Sequence, residues 1–404
     1  MNRQIDANVL GYIVRIKDNA SGISNNSTAQ DIYERATTIM RRCRPFGTSI
    51  PPVYNVCAKC IKAFAVPMIN DIYVGSLLAD IDVMSVEPDI EMLAYGQSIP
   101  WGVSRIGGTA VNSASSIDGI GQMDGVHIFV LDTGVAAHPD IRLEYARSFV
   151  PHEANVDDFN GHGTAVAGVV AGRDNTEGIV GVCPGAKIHS YKCLDRNGRG
   201  QMSWALSAIE AVYVWKMEDL GIGRLGVVNI SFGAYIGVYD YTALDYAISK
   251  LIDLGGVHVI VAAGNSGDIA GLYTPAHCSK AITVGAYAFG NILTEWSNYG
   301  ASVDILAPGA NILTTSVNLN TRKPIYATVG GTSFAAAYVT GAAALYVYLN
   351  QLKTPAEVSA ALKEIEPLAN TLVDVTRPDT TRISVYVPVS PPSNPPDPIV
   401  PIIQ

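Results

Sequence analysis

Five short apolar runs, separated by stretches of helical periodicity, restrict this chain more than any other feature. They occupy residues 126–131, 188–191, 227–230, 257–262 and 281–284. A strand that is apolar at nearly every position has both faces covered, and helices between such strands supply the cover. The pattern predicts an α/β fold of three layers over residues 96–387, with a central, mainly parallel sheet. Ligands of such sheets gather at the carboxyl ends of the strands, so the residues at those ends carry the functional argument.

Residues 1–95 read as a separate small α+β unit. Leu10-Gly11-Tyr12-Ile13-Val14-Arg15-Ile16 alternates like a strand, and Ile32, Ala36, Ile39, Met40 and Cys43 recur at helical spacing. Strands are expected at 53–56, 61–66 and 83–86, and a second helix at 72–79. No catalytic constellation is visible there. Residues 388–404 are rich in proline and read as an extended tail.

Composition excludes several classes. With 48% hydrophobic and 16% charged residues in 404, the chain can bury a large core. The net charge of −9 is dispersed and argues against a nucleic-acid partner. No uninterrupted apolar stretch is long enough for a membrane span. Met1-Asn2-Arg3-Gln4-Ile5-Asp6 lacks the apolar core of a secretion signal, so an intracellular or leaderless protein is expected, with an extracellular location or a missing upstream piece as the alternatives. Six cysteines are too few for a disulfide scaffold. Cys57-Ala58-Lys59-Cys60 has metal or redox spacing, but the first histidine is His127. Ordinary small apolar side chains are the simpler reading of these cysteines.

Four polar residues stand where chemistry is expected. Asp132 ends the run 126–131 and precedes Thr133-Gly134. His162 lies in Gly161-His162-Gly163-Thr164, ahead of a small-residue helix at 165–171. Asn265 follows the apolar segment that ends Ala262-Ala263-Gly264. Ser333 lies in Gly331-Thr332-Ser333, ahead of an Ala-rich helix at 334–352. Each alone reads equally as a cap or turn residue. Together, in the order Asp132, His162, Asn265, Ser333, they supply every part that acyl transfer requires. These parts are a nucleophile, a base, a carboxylate to orient the base, and donors for an oxyanion.

At these residues the chain resembles the subtilisin family of serine peptidases (subtilases). The matching stretches are Val130-Leu131-Asp132-Thr133-Gly134, Gly161-His162-Gly163-Thr164, Asn229-Ile230-Ser231-Phe232-Gly233, Ala262-Ala263-Gly264-Asn265 and Gly331-Thr332-Ser333. The loop from Asn265 to Pro275 and Trp296-Ser297-Asn298-Tyr299-Gly300 look closest to the proteinase K branch. The resemblance implies a subtilisin-like fold and a Ser333/His162/Asp132 triad, with Asn265 as oxyanion donor. Ser231, Phe232 and Gly233 would bind an extended peptide. Ala262, Ala263, Gly264 and Tyr273 would wall a pocket for a large apolar or aromatic side chain.

The same resemblance implies that residues 1–95 are an inhibitor-type, ferredoxin-like propeptide removed by self-cleavage between Tyr95 and Gly96. It further implies a structural calcium held by Gln97, Asp140 and Asn175, with carbonyls of Arg173, Glu177 and Ile179, and a weaker site near Asp304. The family's Pro-His after the nucleophile is Ala337-Tyr338 here, which predicts a packing change only. The expectation is a monomeric serine endopeptidase acting on polypeptides, made as a self-inhibited zymogen. Peptide binding without turnover, or ligation through the same acyl-enzyme, would use the same parts.

Overall fold

The computed structural model describes residues 9–90, 97–107, 125–218, 225–238, 241–350, 354–363 and 377–387. The proposed cleavage junction and the Pro-rich tail lie outside these residues. The chain divides into two compact units, Met1–Tyr95 and Gly96–Gln404.

The first unit runs β1 (Val9–Ile16), α1 (Ala29–Arg42), β2 (Tyr54–Cys57), β3 (Ala63–Pro67), α2 (Asp71–Leu78) and β4 (Val83–Ile90). Its antiparallel sheet has the order β2-β3-β1-β4, the strand order of a ferredoxin-like unit. Helix α1 starts at a Thr28/Asp31 capping box, which satisfies backbone donors at both Thr28 and Asp31. It buries Ile32, Ala36, Ile39 and Met40 in one cluster with Val14, Phe64 and Val66. The third strand begins two residues later than the apolar pattern predicts. Cys57, the last residue of β2, and Cys60, in the bend that follows, are exposed, which departs from their reading as ordinary small apolar side chains. All six cysteines are free thiols.

The second unit opens with α3 (Trp101–Arg105) and continues with β5 (Val126–Asp132), β6 (Leu143–Ser148), α4 (His162–Ala171), β7 (Lys187–Lys192) and α5 (Met202–Glu218). Then come β8 (Leu225–Ile230), β9 (Ala234–Tyr235), α6 (Ala243–Asp253), β10 (His258–Ala262) and β11 (Tyr273–Thr274). The remainder is β12 (Ile282–Ala288), β13 (Ile292–Leu293), β14 (Ile305–Pro308), β15 (Ile312–Val317), β16 (Pro324–Val329), α7 (Thr332–Asn350) and α8 (Pro355–Lys363).

The main sheet has the order β13-β12-β10-β8-β5-β7-β6, with β14 also paired to β12. All its pairings are parallel except that of β13. Strand side chains alternate between two cores. Ile128, Val130, Ile260 and Ala262 join the cluster containing α4 and α7, whereas Phe129, Leu131, Val259 and Val261 join that of α5 and α6. Each fully buried aliphatic side chain contributes roughly 1.5–3 kcal/mol.

Small residues let the helices sit close to their neighbours. A Cβ at Gly168 would lie 2.1 Å from Thr315 Oγ1, and one at Gly341 2.5 Å from Val182. Tyr338 is fully buried, and a Cβ at Gly102 would lie 2.3 Å from its hydroxyl. Tyr338 fills its site by packing, and its hydroxyl is buried without a hydrogen-bond partner among the described residues. Among the described residues, no helix is long and apolar enough to cross a membrane.

Candidate active site

Three neighbouring central strands end at one level, because Leu131 is in register with Ile230 and Ile230 with Val261. Asp132, Ser231 and the segment from Ala263 to Asn265 therefore emerge side by side at the carboxyl edge. Asp132 is fully buried and accepts from Thr133 N–H at 2.7 Å. His162 Nδ1 lies 2.8 and 3.0 Å from its two carboxylate oxygens.

His162 is the first residue of α4, which begins three residues earlier than the apolar pattern predicts. Its N-cap Gly161 has φ 96° and no side chain to cap with. Asp158, which sequence reasoning missed, takes over that role. Its buried carboxylate accepts from Gly161 N–H (2.8 Å), Thr164 N–H (2.9 Å) and Thr164 Oγ1 (2.6 Å), and also from Thr133 Oγ1 (2.9 Å). Gly163 is required for contact, since a Cβ there would lie 2.1 Å from the Gly134 carbonyl. Burial disfavours a charged imidazole. The charge and hydrogen bond of Asp132, with the charge of Asp158, outweigh it and hold His162 above its ordinary pKa.

Ser333 is the second residue of α7 and 6% exposed. Its hydroxyl donates to the Ser231 carbonyl at 3.1 Å, while Ser231 Oγ donates to the Ser333 carbonyl at 3.2 Å. The adjoining Phe334 ring lies 5.6 Å from the His162 ring, and a Cβ at Gly341 would lie 3.1 Å from the Val170 carbonyl, so the serine and histidine helices pack side by side with their first turns together. The Asn265 side-chain carbonyl accepts from Thr332 N–H (2.8 Å) and Thr332 Oγ1 (2.9 Å). Its NH₂ is left as the donor end, in the same cavity as Ser333.

That cavity, about 200 Å³, is lined by all seven expected pocket residues, Ser231 to Gly233, Ala262 to Gly264 and Tyr273. No Asp, Glu, Lys, Arg or His is among its described lining residues. Gly264 has φ 105°, and a Cβ there would lie 2.4 Å from Asn298 Nδ2. Asn298 in turn braces the turn, donating to the Ala263 carbonyl at 2.9 Å and accepting from Ser266 N–H at 2.9 Å. A larger cavity of about 1340 Å³ lies against β6, β7 and α5; its lining serine, Ser207, donates its hydroxyl to the Ser203 carbonyl at 3.0 Å. Cys183 and Cys193 are no alternative nucleophiles, because burial pushes both thiols up, Cys183 to about 12.

The expected calcium donors lie together. Gln97 Nε2 donates to the Arg173 carbonyl (2.6 Å), and Asn175 Nδ2 to Asp140 Oδ1 (2.8 Å). Asp140 Oδ2 accepts from Ile179 N–H (3.0 Å) and from Tyr326 OH (2.8 Å), while Glu177 N–H donates to Asn175 Oδ1 (2.9 Å). Amide oxygen and nitrogen exchange places on a half-turn. Turning the Gln97 and Asn175 amides would bring their oxygens to Asp140 and the Arg173 carbonyl, a set of the kind a hard cation takes, but it gives up the bonds their oxygens accept from Asn175 N–H (3.2 Å) and Glu177 N–H. Ile179 meets Asp140 through its N–H. Asp304 is instead paired with Lys363 at 2.7 Å, against a second calcium site there.

The pattern of the subtilase family matches residues 123–374. This chain belongs to the subtilase family. Among curated relatives, subtilisin BL of Lederbergia lenta is 36% identical over 267 residues, covering 66% of this chain and 91% of that protein. An alkaline protease of Alkalihalobacillus alcalophilus is 34% identical over 290 residues, covering 72% and 70%. Subtilisin NAT of Bacillus subtilis subsp. natto is 31% identical over 357 residues, covering 87% and 84%. A solved cold-adapted subtilisin-like serine proteinase is similar with a TM-score of 0.55 at 30% identity, covering 67% of this chain and 91% of that one. The subtilase described here has the subtilisin-like α/β fold and is a serine-type endopeptidase acting on polypeptides.

Proposed function

We propose that Ser333, His162 and Asp132 form the catalytic triad of this subtilase. The observation that carries this reading is the 2.8 Å contact from His162 Nδ1 to Asp132 Oδ1. It leaves Nε2 as the ring's free base, at the end of a helix that abuts the Ser333 helix.

Ser333 Oγ turns from the Ser231 carbonyl to His162 and attacks the scissile carbonyl carbon as Nε2 takes its proton. Asp132 stabilises the imidazolium. The oxyanion receives the Ser333 N–H at the start of α7 and the Asn265 NH₂. Collapse breaks the C–N bond, and His162 returns the proton to the leaving amine. Water then attacks the acyl-enzyme by the same route, releasing the acid and Ser333. The uncharged, partly aromatic pocket favours a large apolar or aromatic residue before the scissile bond, and Ser231–Gly233 offers a strand edge to the peptide.

Residues 1–95 act as an inhibitory propeptide, cut between Tyr95 and Gly96, and the mature enzyme is a monomer. In support, the match to subtilisin NAT covers 87% of the chain, more than residues 96–404 provide alone. Membership of the proteinase K branch rests on Trp296–Gly300, whose Asn298 braces the pocket. Calcium bound by Gln97, Asp140, Asn175 and the Arg173 carbonyl would tie distant segments together and stabilise the fold.

A fluorophosphonate reagent tests the triad. A single adduct mapped to Ser333 in the processed protein is expected, with none in Ser333→Ala. An adduct at another serine, or no adduct, overturns the assignment.

A further inference from the structure

The pocket beside Ser333 has one wall with little secondary structure of its own. Tyr273 and Thr274 pair with Tyr235 and Ala234 in a two-residue ladder, and β9 is exposed along its whole length. Gly233, next to this ladder, and Thr274 both line the cavity, and the Thr274 carbonyl lies 2.7 Å from where a Cβ at Gly233 would stand. A small displacement of this wall therefore changes the width of the pocket.

A buried carboxylate lies behind the wall. Asp245 on α6 is fully buried and collects four donors. Thr242, the helix cap, supplies N–H (2.7 Å) and Oγ1 (2.6 Å). The wall supplies the other two, Thr274 Oγ1 at 3.1 Å and His277 Nε2 at 2.7 Å. His277 is itself 9% exposed, and its N–H donates to the Tyr273 carbonyl at 2.9 Å, closing the wall segment on itself. Among the described residues, His277 supplies the ring nitrogen that meets the Asp245 carboxylate.

We infer that His277, gripped by Asp245, is a positioning residue that sets the width of the P1 pocket and so the acceptance of large side chains. The inference rests on the reading of this cavity as the P1 pocket. His277 touches neither Ser333 nor the oxyanion donor, so the pair acts on binding and leaves the chemical step alone. Removing the ring frees the wall at Thr274 and leaves a buried carboxylate short of its partner. A large side chain loses the matched wall, while alanine never reaches it.

The test is steady-state hydrolysis of two peptides that differ only in Phe or Ala before the scissile bond, by the processed enzyme. In His277→Leu, KM for the Phe peptide rises about tenfold, the scale of one lost apolar contact in a specificity pocket. Its kcat, and KM for the Ala peptide, stay within about twofold. His277→Gln keeps an N–H donor and recovers most of the Phe affinity. If His277→Leu does not fold, Thr274→Val removes the other wall donor and moves the same ratio in the same direction. An unchanged Phe-to-Ala KM ratio, or an equal loss of kcat on both peptides, overturns the brace while leaving the pocket assignment standing. Wild type without any preference for Phe over Ala refutes the pocket assignment and the brace together.

Discussion

Asp158 and Thr133 share a 2.9 Å hydrogen bond that ties the strand of Asp132 to the helix of His162. Thr133 uses every polar group it has. Its N–H donates to Asp132 Oδ1, its Oγ1 also accepts from Gly163 N–H (3.0 Å), and its carbonyl accepts from the buried Lys192 ammonium (2.7 Å). Lys192 is paired in turn with Glu153 at 3.2 Å. Asp132 and His162 are thereby held to one another by buried polar groups, whose loss is costly in a low-dielectric interior.

Asp158→Asn should lower kcat by about ten- to a hundredfold, the range expected when a catalytic pair is misplaced by less than an ångström or so. The pH profile separates this from general damage. His162 must be neutral to act as base, and Asp158 adds to the charge that raises its pKa. Loss of that charge moves the acid limb of kcat/KM to lower pH. An acid limb that stays in place removes Asp158 from the electrostatics of the site.

His258 makes the fold sensitive to acid. It is 1% exposed at the start of β10, and neither ring nitrogen has a hydrogen-bond partner among the described residues. Burial and then the charge of Lys216, against the pull of Glu357, lower its pKa to about 4. An unfolded histidine takes up its proton near pH ~6.5. Between these values the unfolded chain binds more protons, so stability present above about pH 6.5 is lost as pH falls towards 4, by roughly 3 kcal/mol at most. His258→Phe should narrow the difference in Tm between pH 7 and pH 4.5. An equal acid-induced drop in both proteins places the sensitivity elsewhere.

Calcium should raise the Tm of the processed enzyme, by about 2.7 kcal/mol of stability at a hundred times its Kd. Chelation reverses the gain, and Asp140→Asn abolishes the response because it removes the carboxylate of the proposed donor set. A melt indifferent to calcium in wild type shows that the Gln97–Asn175 cluster is held by its own hydrogen bonds.

The central sheet and the positions of Asp132, His162, Asn265 and Ser333 were legible because apolar runs and flanking glycines mark them locally. Asp158 was not, since Thr133, Gly161 and Thr164 meet its carboxylate only once β5 and α4 are docked. Nor was His277, whose partner Asp245 lies 32 residues earlier on another element. The edge strand β6 and the hairpin β15–β16 also escaped notice. β6 and β16 are half or more exposed along their length, so neither forms an apolar run. The helix of His162 starts earlier than its apolar stretch because the cap is supplied by Asp158, outside the periodic segment.

The intact mass of purified wild type, beside that of Ser333→Ala, tests the central claim most directly. The account predicts that wild type, incubated with calcium at neutral pH, loses residues 1–95 and leaves a species starting at Gly96. Ser333→Ala should remain whole. Two full-length proteins, or identical processing of both, would contradict a Ser333-dependent, self-cleaving zymogen.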